Sequence, residues 1–391
     1  MEYIEREIQP HLLDMATWFP IVFVGGARQC GKTTLLQKAF ADYHYLNLDN
    51  DVLAESASTD PLGFLERHGS HLILDEVQRV PELFPALKVV VDKTNDPGQF
   101  IISGSQNFLL MESITQSLAG RVGILHLSPL SFREIDLPID EFILKGGYPR
   151  LHNSSGSNIP LRIYFESYVN TYLERDVRTV GNVVKLDKFR RLLSLSANYA
   201  GNLVNYTKLA NSVGSSFNGI KRWLGILEAS YIVFTLQPFA ASMEKRVTKT
   251  PKLYFWDTGL LCHLLGIHTT QELATHPDRG AIFENFVIAE TAKNLANQGA
   301  ESNLFFYRDA HKTEVDLVSG VNPQQLTLSE IKASVTPRPR FADAVNKVAE
   351  ELGVDASRRQ VIYQGSEDFV LNEARFIPVD TYLSREDTRD S

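Results

Sequence analysis

The sequence predicts an α/β protein: a parallel sheet with helices on both faces, then a helical segment, then a smaller α/β domain. Three observations predict this class. Short apolar runs alternate with helix-length amphipathic segments over residues 1–145. A glycine-rich turn at residues 26–33 joins one apolar run to a helix-like segment. Helical patterns then dominate up to residue 229, and strand-like runs return after residue 300.

The totals are those of a multidomain globular protein. A chain of 391 residues is expected to form about two or three domains, and an apolar fraction of 43 % is ordinary. No apolar run approaches the ~20 residues of a membrane-spanning helix, and the acidic start lacks the apolar core of a signal peptide. Two cysteines, Cys30 and Cys262, cannot form a disulfide framework. These features predict a cytoplasmic protein with no membrane partner.

The net charge of −8 conceals a basic middle segment. Residues 150–252 contain 15 Lys and Arg against 6 Asp and Glu, so they carry +9 and the remainder carries −17. A basic segment can meet the phosphate backbone of a nucleic acid. A solvated basic face explains the charge equally well.

The elements of the first domain follow from the alternation of apolar periods. Residues 1–19 have the apolar spacing of an amphipathic lead-in helix. Strands and helices then alternate, which is typical of parallel strands, although spacing does not give their order. Strands are expected at 20–25, 44–49, 71–76, 99–106 and 122–127, and further helices at 32–40, 60–68, 82–94 and 107–119.

The turn after the first strand fits the phosphate-binding pattern G-x-x-x-x-G-K-[ST] from Gly26 to Thr33. Its glycines allow a tight turn that points several backbone N–H groups at one anion, and the following helix adds its positive end. Lys32 is expected to reach the β- and γ-phosphates of ATP, and the Thr33 hydroxyl to bind Mg²⁺. The strand-before, helix-after context disfavours a chance match. The predicted nucleotide-binding residues are Gly26, Ala27, Arg28, Gln29, Cys30, Gly31, Lys32, Thr33 and Thr34.

The apolar run at 71–76 ends in two acids, which is the Walker B pattern. Asp75 is expected to hold Mg²⁺, directly or through water. Glu76 is expected to orient and polarise the water that attacks ATP. The alternative is a buried strand that ends in acids by chance.

The middle of the chain has a helix-turn-helix pattern. A short helix at 205–213, a turn at 214–216 and a longer helix at 217–229 are followed by two strand-like runs that could form a wing. These runs lie at 231–236 and 252–255. In a DNA-binding module the residues facing the groove would be Ser216, Asn218, Lys221 and Arg222. A winged helix also binds proteins, so both kinds of partner stay open.

Two further helices, at 160–179 and 186–201, precede this pattern. The charged residues at 172–178 are interpreted as a solvated helix face. The alternative is a contact with a second subunit or with the nucleotide.

The carboxy-terminal part fits the PD-(D/E)xK nuclease pattern, with Asp316 on one strand and Glu330-x-Lys332 on the next. Glu330 and Lys332 lie on one face because the strand period is two. Asp316, Glu330 and Glu284, from a preceding helix, are candidate ligands of a divalent metal, and Lys332 would activate water or stabilise charge on the phosphate. The alternative is an inactive descendant that keeps the fold and some carboxylates.

The other carboxy-terminal elements follow from the same patterns. Strands are expected at 304–309, 314–318, 326–332 and 360–363, with an edge strand at 376–379. Helices are expected at 280–297 and 341–352. The charged tail at 384–391 is expected to be disordered.

Over about residues 1–365 the chain resembles a family of prokaryotic AAA-type ATPases of the AAA+ superfamily, which carry a carboxy-terminal domain of unknown function. The resemblance implies a P-loop NTPase (AAA+-like) domain, a winged-helix segment and a restriction-endonuclease-like domain. The motifs that carry it lie at 26–34, 74–78, 103–105, 118–121, 146–149, 172–176, 253–260, 283–285, 314–317 and 330–332.

The same resemblance implies roles for three further residues. Ser103 or Ser105 would sense the γ-phosphate; a plain Ser-Gly turn is the alternative. Arg121 would be an arginine finger that reaches a neighbouring subunit's nucleotide, because guanidinium binds phosphate oxygens bidentately. A cation that only stabilises a helix end is the alternative.

The expected domains are 1–145 for ATP binding, 146–252 for the helical and winged-helix segment, 253–382 for the nuclease-like domain and 383–391 for the tail. We expect an ATP-hydrolysing protein that acts on or docks to DNA, with ATP and Mg²⁺ as ligands and a homo-oligomer if Arg121 acts in trans. The alternatives are an ATP-regulated, metal-dependent DNA nuclease and a nucleotide-switched protein-interaction module.

Overall fold

The computed structural model describes residues 3–94, 96–105, 114, 116–153, 159–172, 177, 185–239, 250–322 and 325–384. Ser105 is described by its backbone alone. The charged set predicted at 172–178 and the tail at 385–391 fall almost wholly or wholly outside these ranges, as does most of the helix predicted at 107–119.

The amino-terminal part alternates strands and helices, as the sequence predicts. Its strands are β1 (Ile21–Gly26), β2 (His44–Asn47), β3 (Leu72–Asp75), β4 (Phe100–Ser105) and β5 (Val122–Leu127). Its helices are α1 (Gln9–Trp18), α2 (Lys32–Ala39), α3 (Asp51–Thr59), α4 (Pro61–His68) and α5 (Leu83–Thr94).

These strands form a parallel sheet in the order β2-β3-β4-β1-β5. Strand β1 is buried along its whole length, because it lies between β4 and β5 and is covered on both faces. Two apolar clusters, one on each face, pack the helices onto the sheet. The predicted parallel α/β sheet is confirmed.

Two predictions for this part need correction. The lead-in helix begins only at Gln9, because Pro10 fits the first turn of a helix but not its interior. Helix α3 was not predicted; Asn50 caps it by accepting hydrogen bonds from the N–H groups of Val52 and Leu53.

The middle and carboxy-terminal parts share one sheet. Their helices are α6 (Ile139–Lys145), α7 (Leu161–Tyr172), α8 (Leu186–Ala197), α9 (Tyr206–Val213), α10 (Phe217–Ala229), α11 (Thr258–Leu264), α12 (Thr270–Thr275), α13 (Arg279–Asn297), α14 (Asp343–Leu352) and α15 (Val379–Ser384). Their strands are β6 (Asn202–Leu203), β7 (Val233–Pro238), β8 (Lys252–Phe255), β9 (Leu304–Arg308), β10 (Glu314–Ser319), β11 (Thr327–Lys332), β12 (Arg359–Tyr363), β13 (Phe369–Leu371) and β14 (Ala374–Pro378).

The strand order of this second sheet is β13-β14-β12-β11-β10-β9-β7-β8-β6. Strands β6, β8 and β7 pair antiparallel, and β7 joins the remainder through a short parallel pairing of Gln237 and Pro238 with β9. The predicted domain limit between residues 252 and 253 therefore falls inside β8. The strand predicted at the edge, β14, is instead an inner strand, because β13 pairs outside it.

Candidate functional site

The glycine-rich turn lies at the carboxyl edge of the first sheet. Gly26, the last residue of β1, pairs with Ser105 of β4 and Leu127 of β5. A Cβ at Gly26 would lie 2.2 Å from the carbonyl oxygen of Leu127, so only glycine fits there. This edge, where the strand order reverses around β1, is where α/β sheets bind ligands.

The turn itself wraps back on its own backbone. Gln29 (φ 60) and Gly31 (φ 98) both adopt left-handed backbone conformations. Of the other predicted residues in the turn, Ala27 and Cys30 are buried, Arg28 is half-buried, and Thr34 is exposed on α2.

Lys32, the first residue of α2, is 8 % exposed and folds over the turn. Its Nζ donates to the carbonyl oxygens of Gly26 at 3.0 Å and Ala27 at 2.9 Å. In both of these contacts the ammonium group binds a neutral acceptor at the anion-binding turn.

Asp75 lies directly beside the turn and is 2 % exposed. Its Oδ2 accepts hydrogen bonds from the Thr33 hydroxyl at 2.6 Å and the Tyr45 hydroxyl at 2.8 Å. Its Oδ1 accepts from the Ser103 hydroxyl and from the backbone N–H of Glu76. The structure therefore brings together Thr33, Asp75 and Ser103, which were predicted from three separate motifs. We call Lys32, Thr33, Tyr45, Asp75 and Ser103 the Asp75 cluster.

Tyr45 was not predicted as part of the site. It lies on β2, whose partner is β3, and Asn47 pairs with Asp75 in that register. Burial, and then its contact with the Asp75 carboxylate, raise the pKa of Tyr45, so its hydroxyl stays protonated and donates. No local sequence signal marks Tyr45, because it reaches Asp75 only through the pairing of β2 with β3.

Glu76 follows β3 in a left-handed backbone conformation (φ 59). This half-buried carboxylate accepts a hydrogen bond from the Gln78 side-chain amide. A non-glycine residue at positive φ is uncommon and often marks a functional position.

The Asp75 cluster has the donor set that Mg²⁺ prefers. Thr33 and Asp75 supply a hydroxyl and a carboxylate oxygen, and nucleotide phosphates usually complete such sites. In the described ranges, no group of three or more His, Cys, Asp and Glu side chains could hold a metal ion by itself. Thr33 and Asp75 therefore suit a metal ion whose other ligands come from a bound phosphate compound.

The phosphate loop is braced from both sides by residues that the sequence did not indicate. Arg6 donates to the carbonyl oxygens of Cys30 at 2.9 Å and Ser128 at 2.8 Å, and pairs with buried Glu134 at 3.0 Å. The Tyr164 hydroxyl, on α7, donates to Gln29 Oε1 at 3.0 Å. The loop is thus tied to the chain start and to the middle part.

Arg121 lies outside the Asp75 cluster. Arg121 immediately precedes β5, and Ile21 N donates to its carbonyl oxygen, so it lies at the opposite sheet edge from Gly26. Its guanidinium binds the Asp92 carboxylate bidentately on α5. The backbone of Ser105 pairs with Gly26.

The predicted helix-turn-helix residues lie together on an exposed surface. Ser216 caps α10 by accepting a hydrogen bond from the Gly219 N–H, and Gly214 ends α9 in a left-handed conformation. Asn218, Lys221 and Arg222 are exposed on α10. The strands predicted as a wing are β7 and β8, which pair antiparallel.

The predicted nuclease residues also meet, around a lysine that the sequence did not indicate. Lys252 Nζ lies 2.9 Å from Glu284 Oε1, 2.6 Å from Glu314 Oε1 and 3.7 Å from Asp316 Oδ1. Lys332 Nζ lies 2.5 Å from Glu330 Oε1 and 4.0 Å from Asp316 Oδ2. We call Lys252, Glu284, Glu314, Asp316, Glu330 and Lys332 the Lys252 cluster.

The carboxyls of the Lys252 cluster are crowded. Burial, and then the neighbouring Asp316 carboxylate, raise the pKa of Glu284 to about 7 and that of Glu330 to about 8. Burial alone would lower the pKa of Lys252, but Glu284, Asp316 and Glu314 raise it above its ordinary value. Both lysines are therefore charged at neutral pH.

Residues from three of the sequence motifs form contacts that hold elements together. Asp257 accepts hydrogen bonds from the N–H groups of Gly147 and Leu260, both at 2.7 Å. A Cβ at Gly147 would lie 2.1 Å from the Leu130 carbonyl oxygen. Asn285 exchanges two hydrogen bonds with the backbone of Phe255 and so fixes α13 to β8.

Comparison with known proteins agrees with this geometry. Residues 19–136 match the model of an AAA domain; residues 137–271 and 279–382 match two models described as domains of unknown function (DUF8612 and DUF4143). An uncharacterized protein of Mycobacterium tuberculosis is 32 % identical over 371 residues, which cover 93 % of this chain and 81 % of that protein. The chain belongs to the family of that mycobacterial protein. Residues 19–136 of this chain therefore form an AAA-type, P-loop ATPase domain.

More distant similarities extend to archaea. An uncharacterized protein of Methanocaldococcus jannaschii is 28 % identical over 310 residues, covering 63 % of each chain. The Walker-type ATPase of Pyrococcus abyssi superposes with a TM-score of 0.47 at 14 % identity, over 67 % of this chain and 96 % of that one. DnaA of Aquifex aeolicus, at 12 % identity over 56 % of this chain and 85 % of its own, gives a TM-score of 0.28. Superpositions this partial add nothing to the assignment, which rests on the AAA match and on the Asp75 cluster.

No helix within the described residues combines the length and apolar character needed to cross a bilayer.

Proposed function

We propose that the protein binds ATP with Mg²⁺ at the Asp75 cluster and hydrolyses it. The observation that carries this proposal is the 2.6 Å contact between Thr33 Oγ1 and Asp75 Oδ2 at the carboxyl edge of the sheet, beside Lys32. Thr33 and Asp75 would hold Mg²⁺, which supplies positive charge at the phosphate oxygens when bound. Lys32 exchanges its two carbonyl acceptors for phosphate oxygens, and Ser103 senses the nucleotide through Asp75.

In this proposal Glu76 is the residue that orients and polarises the attacking water. It is one residue from Asp75 and half-buried. Its hydrogen bond from Gln78 fixes the carboxylate before substrate arrives. A general base near the γ-phosphate is typically worth 10²–10⁴-fold in rate, roughly the loss we expect without it.

Two variants test the proposal. Lys32→Ala is expected to abolish ATP binding, and Glu76→Gln to abolish turnover while sparing binding. Binding is measured with a fluorescent nucleotide analogue and turnover by phosphate release. Lys38→Ala, on the exposed side of α2, and Glu55→Gln, on the exposed side of α3, are matched controls expected to behave as wild type. Hydrolysis that survives both Lys32→Ala and Glu76→Gln would contradict the proposal.

We propose DNA as the partner of the α9–α10 surface, which would make β6, β7, β8 and these helices a winged-helix module. Support comes from the exposed Asn218 and Lys221 at the start of α10, and from the basic excess of the surrounding segment. The test is fluorescence anisotropy with labelled duplex DNA over a range of salt concentrations. Lys221→Glu is expected to weaken binding and flatten its salt dependence by about one counterion.

Lys93→Glu is the matched control for this experiment, because it makes the same charge change on an exposed lysine of α5. Equal losses from both variants would indicate nonspecific attraction alone. Absence of DNA binding, together with tight nucleotide binding and no turnover, would favour the protein-interaction alternative. The metal-dependent nuclease alternative has less support, since the buried Lys252 ammonium group lies within 4.0 Å of two of its three candidate metal ligands, Glu284 and Asp316.

Arg121 remains our candidate for an arginine finger that acts across a subunit interface. Such a role requires it to leave Asp92 and a second copy of the chain to be present. Mixing Arg121→Ala with Lys32→Ala protein tests it, because each variant supplies what the other lacks. Restored hydrolysis supports action in trans; two inactive partners that stay inactive contradict it.

A further inference from the structure

Lys252 occupies the centre of the cluster in which a nuclease-like domain would hold a divalent metal. It is the first residue of β8 and is only 1 % exposed. Its Nζ faces carboxylates from two other elements: Glu284 of α13, and Glu314 and Asp316 of β10. An ammonium group buried among three carboxylates supplies the positive charge that a metal ion would otherwise supply.

The remaining contacts of the cluster leave little room for a metal. Lys332 lies against Glu330 and Asp316, and Asp316 Oδ2 also accepts the Ile331 N–H at 2.9 Å. Glu330 Oε2 is buried and lacks a hydrogen-bond partner among the residues described. One such oxygen is too few, because Mg²⁺ takes about six oxygen ligands. A divalent ion at this point would also lie close to the buried Lys252 ammonium group and be repelled by it.

We propose that Lys252 is a built-in cation that replaces the divalent metal, so that the Lys252 cluster joins β8 to the carboxy-terminal domain and does not cleave DNA. The same carboxylates that a nuclease would use for catalysis hold two parts of the chain together here. Tyr254, also on β8, strengthens the joint by donating to Glu284 Oε1 at 2.7 Å. Asn285, next to Glu284, binds the same strand.

The first test measures metal binding and cleavage by the full chain without nucleotide. Electron paramagnetic resonance with Mn²⁺ is applied to wild type, Asp316→Asn and Asp75→Asn, and each is incubated with supercoiled plasmid and millimolar Mn²⁺. We expect wild type and Asp316→Asn to give the same bound Mn²⁺ signal. We also expect the two proteins to nick the plasmid to the same extent. Either an Asp316-dependent signal or Asp316-dependent nicking would overturn the proposal. Asp75→Asn separates any weak binding at the nucleotide site.

The second test removes the built-in cation. In Lys252→Met the three carboxylates lose their shared partner, so millimolar Mn²⁺ is expected to raise the Tm of the variant by several degrees while leaving wild type unchanged. A folded variant whose Tm does not change with Mn²⁺ would contradict the idea that Lys252 occupies the position of a metal ion. Should Lys252→Met fail to fold, the wild-type and Asp316→Asn arms of the first test still decide the proposal, because they need no change at Lys252.

Discussion

The Asp75 cluster and the Lys252 cluster both contain lysine and carboxylate side chains, but these side chains have different partners in the two clusters. In the first, Lys32 binds two backbone carbonyls and Asp75 binds three hydroxyls and a backbone N–H. In the second, each lysine lies directly against carboxylates. Neutral partners keep the charges of the first cluster free for a charged ligand. In the second cluster the charged groups already pair with one another. Residue types alone therefore do not identify a ligand site.

The largest effect expected from this comparison is on stability at Lys252. Removing one partner of a buried ion pair leaves uncompensated charge, which typically costs about 3–5 kcal/mol. Lys252→Met is therefore expected to lower the free energy of unfolding by that amount, measured by urea titration. Lys347→Met, at an exposed lysine of α14, is the control and should change it little. A Lys252→Met variant as stable as its control would show that the cluster does not hold the domain together.

The same substitution at Lys32 should separate stability from ligand binding. Lys32 loses only contacts with neutral acceptors, so Lys32→Met is expected to cost about 1–2 kcal/mol of unfolding free energy. Its nucleotide affinity should nevertheless fall beyond detection, measured by isothermal titration with ATP and Mg²⁺. Loss of several kcal/mol without loss of affinity would reverse the assigned roles of the two lysines.

The two clusters also differ in how far the sequence predicted them. Lys32 and Thr33 lie in one short motif, and Asp75 ends a strand whose position in the alternation is recognisable. Those residues could be assigned because the loop pattern is local. Tyr45, Arg6 and Tyr164 could not, because they reach the loop only through strand pairing and tertiary contacts.

For the Lys252 cluster, the spacing of Asp316, Glu330 and Lys332 predicted that they would meet. It carried no information about a lysine 64 residues before Asp316 on a strand assigned to another domain. The inner position of β14 could not be predicted for a related reason. Its outer neighbour, β13, has three residues, which is too short to show the alternation of a strand. Pairing partners that are distant in sequence decide both features.

A smaller effect, on pH dependence, follows from the crowding of carboxyls in the Lys252 cluster. The pKa values of Glu284 and Glu330 are raised in the folded state, to about 7 and about 8. A raised carboxyl pKa stabilises the folded state most below the ordinary value, and this contribution is lost as the pH rises through the folded-state values. Resistance to urea should therefore fall as the pH rises from about 5, just above the ordinary carboxyl pKa, to about 9.

Glu330→Gln cannot ionise and should flatten that decline, whereas Glu350→Gln, exposed on α14, should keep the wild-type slope. The slopes are compared from urea midpoints at a series of pH values. Parallel slopes for wild type and Glu330→Gln would mean that proton uptake at Glu330 does not contribute to balancing the cluster.

The smallest expected effect lies in the Asp75 cluster, at Tyr45. Its hydroxyl shares Asp75 Oδ2 with Thr33, so Tyr45→Phe removes one of two hydrogen bonds that orient this oxygen. A single hydrogen bond is worth about 1 kcal/mol, which corresponds to about fivefold in affinity. The variant should therefore need about fivefold more Mg²⁺ for half-maximal ATP hydrolysis. Nucleotide binding in excess chelator should be unchanged, because the ring still fills its place. Tyr43→Phe, on a tyrosine whose hydroxyl donates to the Gly98 carbonyl away from Asp75, is the matched control. If both variants shift the Mg²⁺ requirement equally, Tyr45 acts on packing and not on the orientation of Asp75.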